Sequence, residues 1–375
     1  MLFTQIKQSP PMQNLAKKLA KVREFFPAMF FFGGFAWDAF TIGHSVAAQD
    51  LCIFGAYLAT AGLILYVIGR PSYILADSTN LPNWLSKIYI KLNLKKYHWP
   101  NFPYFLLQFI FGNLLSSLFI LYFKSASHWL AWLMCLLLGA MLVGNEYLED
   151  EYKRFTLSWA LFGFCAMLLF NFALPFLIGS IQPIWFYLST LMGLAAAHWL
   201  YKTTPNHFGS IKPAWLIAAG LMLAYAGDMI PPVPLVKRDI AVAYSLTKIN
   251  GDYQLTQQPS NWWVFWHKTS TDLQVTPGQR VYCISSVFAP PGLNTKLYHR
   301  WQIYDKNQGW ITQSHIGFTL SGGRYNGFRG YTYKQNLQAG KWRVAVETES
   351  EKTVTVYDFS IKTVSVAPPL VMQLF

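Results

Sequence analysis

PAWLIAAGLMLAYAGDMIPPVPLVKRDIAVAYSLTK, residues 213–248, changes character at its middle. Its first half is an apolar run without Lys or Arg, and its one acid, Asp228, comes near the end. Pro231, Pro232 and Pro234 then make a stiff exit. From Ile240 onward β-branched and polar residues mix at the short spacing of a strand. The two halves of this stretch stand for the two halves of the chain.

Upstream, the pattern is helical and apolar. A bilayer core of about 30 Å takes roughly 20 apolar residues as a helix. Seven runs approach that length, at about 25–46, 51–69, 102–123, 129–144, 156–179, 183–201 and 213–230. The fourth is short and extends through Asn145. The first is no cleavable leader, because it holds Asp38 and further spans follow. Downstream, strands are expected at about 240–248, 262–268, 280–288, 297–305, 310–320, 324–334, 340–348 and 353–364. Turn signals such as Thr276-Pro277-Gly278 and Ser321-Gly322-Gly323 separate them. In 340–348, Trp342, Val344 and Val346 should face a core, and Lys341, Arg343 and Glu347 should face out.

The expected fold class is a membrane all-α bundle of about seven transmembrane helices, followed by an all-β antiparallel sandwich, immunoglobulin-like in type. The expected domains are an amphipathic cytoplasmic leader at 1–24, a helical domain at 25–230, a Pro-rich linker at 231–239 and the sandwich at 240–375. Within the helical domain, 71–101 reads as an interfacial segment, with Lys87, Lys91 and Lys95 on one helical face and Trp84, Ile88 and Leu92 on another.

Composition agrees with this division. The chain is 53% hydrophobic and 13% charged, against about 25% charged residues in soluble domains. That argues against an ordinary cytosolic enzyme, and collagen, intrinsic disorder and a disulfide scaffold are excluded as well. Charge then orients the bundle. With the N-terminus inside, the inner segments carry fourteen Lys and Arg, from Lys7 to Lys212, and the outer loops carry Lys124 alone. The sandwich therefore falls on the outer face, which in a bacterium with two membranes is the periplasm. Residues 236–375 hold 15 Lys and Arg against 8 Asp and Glu. The net charge of +13 follows from topology and this basic outer domain, and no nucleic-acid motif accompanies it.

Polar residues inside spans are costly and face the bundle interior or water. Asp38, Asn113, Asn171 and Asp228 are candidates for a polar site in the outer half of the bundle. Interhelical hydrogen bonding is the plainer alternative. The acids of 146–151 read as a solvated loop beside Lys153 and Arg154. Of the four cysteines, only Cys283 lies in the outer domain, so no disulfide is expected there. No ligand-spaced His and Cys set, nucleophile elbow or phosphate-binding loop is present. No catalytic residue, metal or cofactor is therefore expected. Cys283 with His299 is the one pair that would combine a nucleophile with a base.

Several outer segments carry a family resemblance. They are Val287-Phe288-Ala289-Pro290, His299-Arg300-Trp301, Gly323-Arg324-Tyr325-Asn326-Gly327-Phe328-Arg329-Gly330-Tyr331-Thr332-Tyr333-Lys334 and Gly340-Lys341-Trp342-Arg343-Val344. Together they resemble the bacterial domain-of-unknown-function family 2914, over about 265–364. Weaker similarity extends to Gly34-Phe35 with Asp38 and to Asn145-Glu146. Gly330 departs from the pattern by splitting an Arg-aromatic-Thr stretch. The resemblance implies a bacterial inner-membrane protein with a periplasmic domain, and it implies no activity.

His299, Arg324, Arg329, Lys334 and Tyr331 are the candidate ligand residues. Arginine presents paired donors to carboxylate or phosphate, and aromatic faces suit sugar rings. Trp301 and Trp342 as core, with the arginines bracing turns, is the alternative. The expected function is display of a periplasmic sandwich that binds a partner protein or an envelope glycan or lipid, as scaffold, sensor or assembly factor. Its rivals are a transporter or lipid-handling protein, and a membrane enzyme on a lipid-linked substrate. Besides the lipid bilayer and such a periplasmic partner, no other partner is expected, and nucleic acid is not one. Nothing in the sequence sets the oligomeric state.

Overall fold

A computed structural model describes residues 48–69, 102–125, 136, 139–140, 155–204, 208–249, 252–258, 270–289, 294–321, 328–366 and 369–375. Five helices lie among them: α1 Ala48–Ile68, α2 Phe102–Ser125, α3 Thr156–Ile178, α4 Pro183–Thr203 and α5 Lys212–Ala226. Each falls on one of the apolar runs. The run at 25–46, with Asp38, lies outside the described residues, as do most of 129–144, the leader and the segment 71–101. Two helices, α1 and α3, are long and apolar enough to cross a membrane. A seven-helix bundle is thus not what the described residues contain.

α3 is the centre of the helical part. Its side chains are buried nearly all round, from Ser158 to Pro175, and it touches each of the other four helices. α1 buries only one stripe, Phe54, Leu58, Ala61, Leu65 and Ile68, at the spacing that puts one helix face against a neighbour. α3 and α4 approach closely because Gly193 has no side chain: a Cβ there would lie 2.5 Å from the Met167 backbone nitrogen. α3 ends at Gly179, whose φ of 68° lets its N–H reach the Pro175 carbonyl.

Among the described residues eleven strands follow: β1 Val236–Ala243, β2 Ser245–Ile249, β3 Asp252–Gln257, β4 Asp272–Val275, β5 Arg280–Phe288, β6 Asn294–Asp305, β7 Gly309–Ser321, β8 Phe328–Gln335, β9 Gly340–Thr348, β10 Thr353–Thr363 and β11 Val371–Leu374. They form a three-stranded sheet β1-β5-β8, a five-stranded sheet β4-β10-β9-β6-β7 and a small third sheet β11-β3-β2. The first two make the sandwich. Its core packs Ile240, Val242, Val281, Cys283 and Val287 against Trp301, Trp342, Val344, Val346 and Phe359.

Three expectations change. The short strands β3, β4 and β11 are additions, the strand expected at 240–248 is divided at Tyr244 between β1 and β2, and the strand expected at 262–268 lies outside the described residues. All pairings are antiparallel except β4 with β10, which is parallel, so the sandwich is not purely antiparallel. Glu347 does not face water. It does stand on the face opposite Val346, as alternation requires, but that face is covered there and Glu347 is fully buried.

Its carboxylate lies against Arg300 and His315 of the neighbouring strands, and close by the sandwich meets the helical part. Lys352, in the β9–β10 turn, donates to the Tyr225 carbonyl at 2.7 Å and stands 4.9 Å over the Tyr225 ring. A lysine from the sandwich thus supplies a cation and a donor at the C-terminal end of α5, where the last carbonyls need both. Just beyond, the Thr353 N–H reaches Asp228 Oδ1 at 3.4 Å. Ile181, in the α3–α4 turn, joins the sandwich core.

Candidate functional site

Strand β8 sorts the candidate residues by parity. Pairing with β5 sets Cys283 opposite Thr332 and Ser285 opposite Gly330, facing inward. It sets Tyr282 opposite Tyr333, Ile284 opposite Tyr331 and Ser286 opposite Arg329, facing outward.

The inward side is a closed polar network. His299 is fully buried. One ring nitrogen, Nε2, contacts Ser285 Oγ at 2.8 Å, and the other, Nδ1, contacts Thr332 Oγ1 at 2.9 Å. Trp301 Nε1 donates to the same Thr332 hydroxyl at 3.0 Å. Burial lowers the His299 pKa to about 3, so the ring stays neutral at ordinary pH. Cys283 is also fully buried, and burial pushes its thiol pKa up. Both His299 nitrogens are used, and neither meets Cys283, so the two do not form a dyad. The Ser285–His299 contact has the distance of a nucleophile and its base, but the group orienting the ring is a hydroxyl rather than a carboxylate, and no surface reaches it. These residues hold the core, and His299 is not a ligand residue.

Gly330 belongs to this arrangement. A Cβ on it would lie 2.2 Å from the Phe318 ring of β7, and Phe318 packs 4.6 Å from the His299 ring. The glycine that departs from the family pattern is the seat of that ring. Lys334 also leans toward the five-stranded sheet, donating to Ser314 Oγ of β7 at 3.1 Å.

The outward side is different. The third sheet packs on it through Leu255, against Ala241, Ala243 and Ile284. Beside that cover an aromatic row remains open. Tyr253 of β3 stands 6.0 Å from Tyr331, Tyr331 stands 6.4 Å from Tyr282, and Tyr282 stands 5.4 Å from Tyr333. Tyr331 and Tyr333 are 44% and 47% exposed. A cation closes each end: Lys248 Nζ is 5.9 Å from the Tyr253 ring centre, and the Arg280 guanidinium is 5.1 Å from that of Tyr333. Among the described residues neither cation carries an ion pair. Arg329 does, and its Nη1 donates to Asp252 Oδ1 at 2.7 Å, tying β8 to β3.

Of the five ligand candidates, the structure leaves Tyr331 open to solvent, turns Arg329 into a brace and encloses His299. Lys334 is half-covered, and Arg324 lies outside the described residues. Tyr253, Tyr282, Arg280 and Lys248 are additions. The alternation of Arg280 with Tyr282, matched by that of Tyr331 with Tyr333, is a sequence signal for part of the row. Tyr253 carries none, because six-residue β3 has too short a pattern of its own.

Within the helices, Asn171 is fully buried between α3 and α4, where Thr190 donates to its Oδ1 at 3.4 Å. Asn113 is half-buried in α2. Asp228 sits at the sandwich junction. Asn171 and Asp228 therefore occupy separate environments. Among the described residues no group of three His, Cys, Asp or Glu side chains could hold a metal ion.

The paired strands β6, β9 and β10 set Trp301 and Trp342 between them and the other sheet. This is the part with a counterpart elsewhere. Residues 294–361 match the family model described as protein of unknown function, DUF2914. The DUF2914 segment runs from the start of β6 to Ile361 in β10. It thus includes His299, Trp301, Tyr331 and Trp342, and leaves out Tyr253, Arg280 and Tyr282. No curated protein matches the chain. Among solved structures, an immunoglobulin-like protein (PA1606) from Pseudomonas aeruginosa is similar at 9% identity, covering 33% of this chain and 98% of its own, with a TM-score of 0.20. A beta-glucosidase from Listeria innocua is similar at 12% identity over 33% of this chain, with a TM-score of 0.18, and this chain spans 16% of it. Likenesses this slight carry no argument about the DUF2914 segment.

Proposed function

We propose that this is a multi-pass protein of the bacterial inner membrane that holds its sandwich in the periplasm and binds a saccharide of the envelope. The observation that carries the reading is the row Tyr253, Tyr331, Tyr282 and Tyr333, in which Tyr331 and Tyr333 are exposed and the other two half-buried. Water gains nothing from a line of exposed rings, whereas a sugar offers C–H faces to stack on them and hydroxyls to meet the phenols.

Two further features support the membrane part. Large apolar side chains stand exposed on the helices, among them Phe109 at 64%, Trp199 at 67%, and Leu216 and Leu223 at 74% each. Such a surface suits hydrocarbon and disfavours water. The lysines and arginines gather on one side of the apolar runs, as they do for cytoplasmic loops.

Two experiments test the reading. An alkaline phosphatase fusion after Phe375 should be active; a stable but inactive fusion would reverse the topology. The detergent-solubilised full chain should co-sediment with purified murein sacculi or bind lipopolysaccharide. Tyr331→Ala combined with Tyr333→Ala should weaken that binding roughly tenfold or more, as the loss of two stacked rings implies. Undiminished binding by the double variant would move the site elsewhere.

A further inference from the structure

A second site lies where the sandwich meets the helices. A cleft of about 720 Å³ opens between the α3–α4 turn, with Ser180, Gln182 and Pro183, and the sandwich edge, with Lys296, Glu349 and Ser350. One wall is firmly set, since Ile181 is packed into the sandwich core and Trp185 Nε1 donates to Ser180 Oγ at 2.9 Å. The lining is mostly polar. It holds one cation and one carboxylate, Lys296 on β6 and Glu349 after β9. Both are exposed, and among the described residues neither has an ion-pair partner. Pro183 opens α4 at the same wall, so the positive end of the helix dipole borders the cleft.

Immediately beside this polar space the helices turn apolar. Leu177 is 79% exposed, Ile178 44% and Ile184 57%. The cleft therefore presents a phosphate-seeking cation and an amine-seeking carboxylate next to a surface suited to hydrocarbon. An amphiphile with a zwitterionic head matches all three features at once.

We propose that the cleft binds the phosphoethanolamine head of a membrane phospholipid, with Lys296 toward the phosphate, Glu349 toward the ammonium and the acyl chains against Leu177, Ile178 and Ile184. This rests on the membrane reading above and is independent of the tyrosine row. A primary ammonium has three N–H donors for a carboxylate, so the site distinguishes ethanolamine from its trimethylated counterpart and from glycerol.

The test is native mass spectrometry of the full chain released from nanodiscs containing equal parts of phosphatidylethanolamine, phosphatidylcholine and phosphatidylglycerol. Retained lipid should be mainly phosphatidylethanolamine. Lys296→Ala should lower its retention by about tenfold, the loss of one charge-assisted contact. Glu349→Gln should shift retention toward phosphatidylglycerol by removing the ammonium partner. Thermal midpoints of both variants should match that of the parent, since neither residue is buried or paired. Free phosphoethanolamine added before release should displace little lipid; displacement as complete as that by the lipid itself would show that the acyl contacts contribute nothing and overturn the lipid assignment. Equal retention of the three lipids, or unchanged retention in both variants, would overturn the proposal while leaving the membrane reading intact. A chain that does not enter nanodiscs would overturn both.

Discussion

The outer faces of the two main sheets hold their arginines differently. On the five-stranded sheet every arginine is matched. Arg300 pairs with the buried Glu347. Arg343 makes two hydrogen bonds to Asp358, at 2.6 and 2.9 Å, and stacks 4.1 Å over the Trp310 ring. On the outer face of the three-stranded sheet Arg329 is matched by Asp252 of the third sheet, but Arg280 has a hydrogen bond to Tyr282 and the Tyr333 ring beside it and, among the described residues, no ion pair, and Lys248 on the neighbouring third sheet has the Tyr253 ring. Matched charge braces strands, whereas unmatched charge beside open rings is available to a ligand. The same split runs through β8, whose Thr332 locks the core while Tyr331 and Tyr333 face solvent.

That contrast can be broken or sharpened by mutation. The largest effect should come from the closed side. Trp301→Ala removes one of the two buried tryptophans of the sandwich core and the indole donor to Thr332. It should cost about 3–5 kcal/mol, read as a large fall in the thermal midpoint of the detergent-solubilised chain. A fall of only a degree or two would mean that the core does not depend on Trp301.

Acid titration tests two buried groups whose contributions oppose each other. The His299 pKa is lowered from 6.5 to about 3. As pH falls from 6.5 toward 3 the unfolded chain takes up a proton that the folded one refuses, so His299 makes stability decline. The Glu347 pKa is raised from 4.5 to about 7, by burial first, with Arg300 opposing and Glu351 and Asp228 adding to the rise. Between 7 and 4.5 the folded chain holds a proton that the unfolded one has released, so Glu347 makes stability increase as pH falls. The two cancel between about 6.5 and 4.5. Glu347→Gln should expose the His299 slope alone, a loss of about 1.4 kcal/mol per pH unit on acidification. A variant as flat as its parent across that window would refute the pairing of the two effects.

Smaller effects separate braces from ligand residues. Arg343→Ala should cost no more than about 1 kcal/mol, since the pair with Asp358 is half-open to solvent, and leave saccharide binding untouched. Tyr333→Ala should leave the thermal midpoint within a degree or two and weaken binding. The reverse pattern, stability lost and binding kept, would make the tyrosine row a structural seam.

Much of the fold was legible because its signals are local. The apolar runs stand where α1 to α5 stand, and the bounds read for β5 and β9 coincide with those observed. Trp342, Val344 and Val346 face the core as alternation requires. β3, β4 and β11 carry no such signal, because strands of four to six residues depend on neighbours rather than on their own pattern. Glu347 was misplaced for a related reason: alternation tells which face a residue occupies, but not whether another part of the molecule covers that face.

Chemistry-bearing residues followed the same rule. His299 beside Arg300 and Trp301 looks like a ligand in one dimension, yet a strand residue is core or surface according to parity and sheet packing. By itself the sequence determined that an apolar helical half precedes a β half and where the stiff junction falls. These follow from composition and period, which each segment carries alone. Only the tertiary structure decided that His299 is enclosed and Tyr331 open, that Tyr253 joins Tyr282 and Tyr333 from another sheet, and that Lys296 and Glu349 border one cleft with the α3–α4 turn. Those juxtapositions join residues far apart in the chain, and they exist only once backbone pairing and core burial have brought them together.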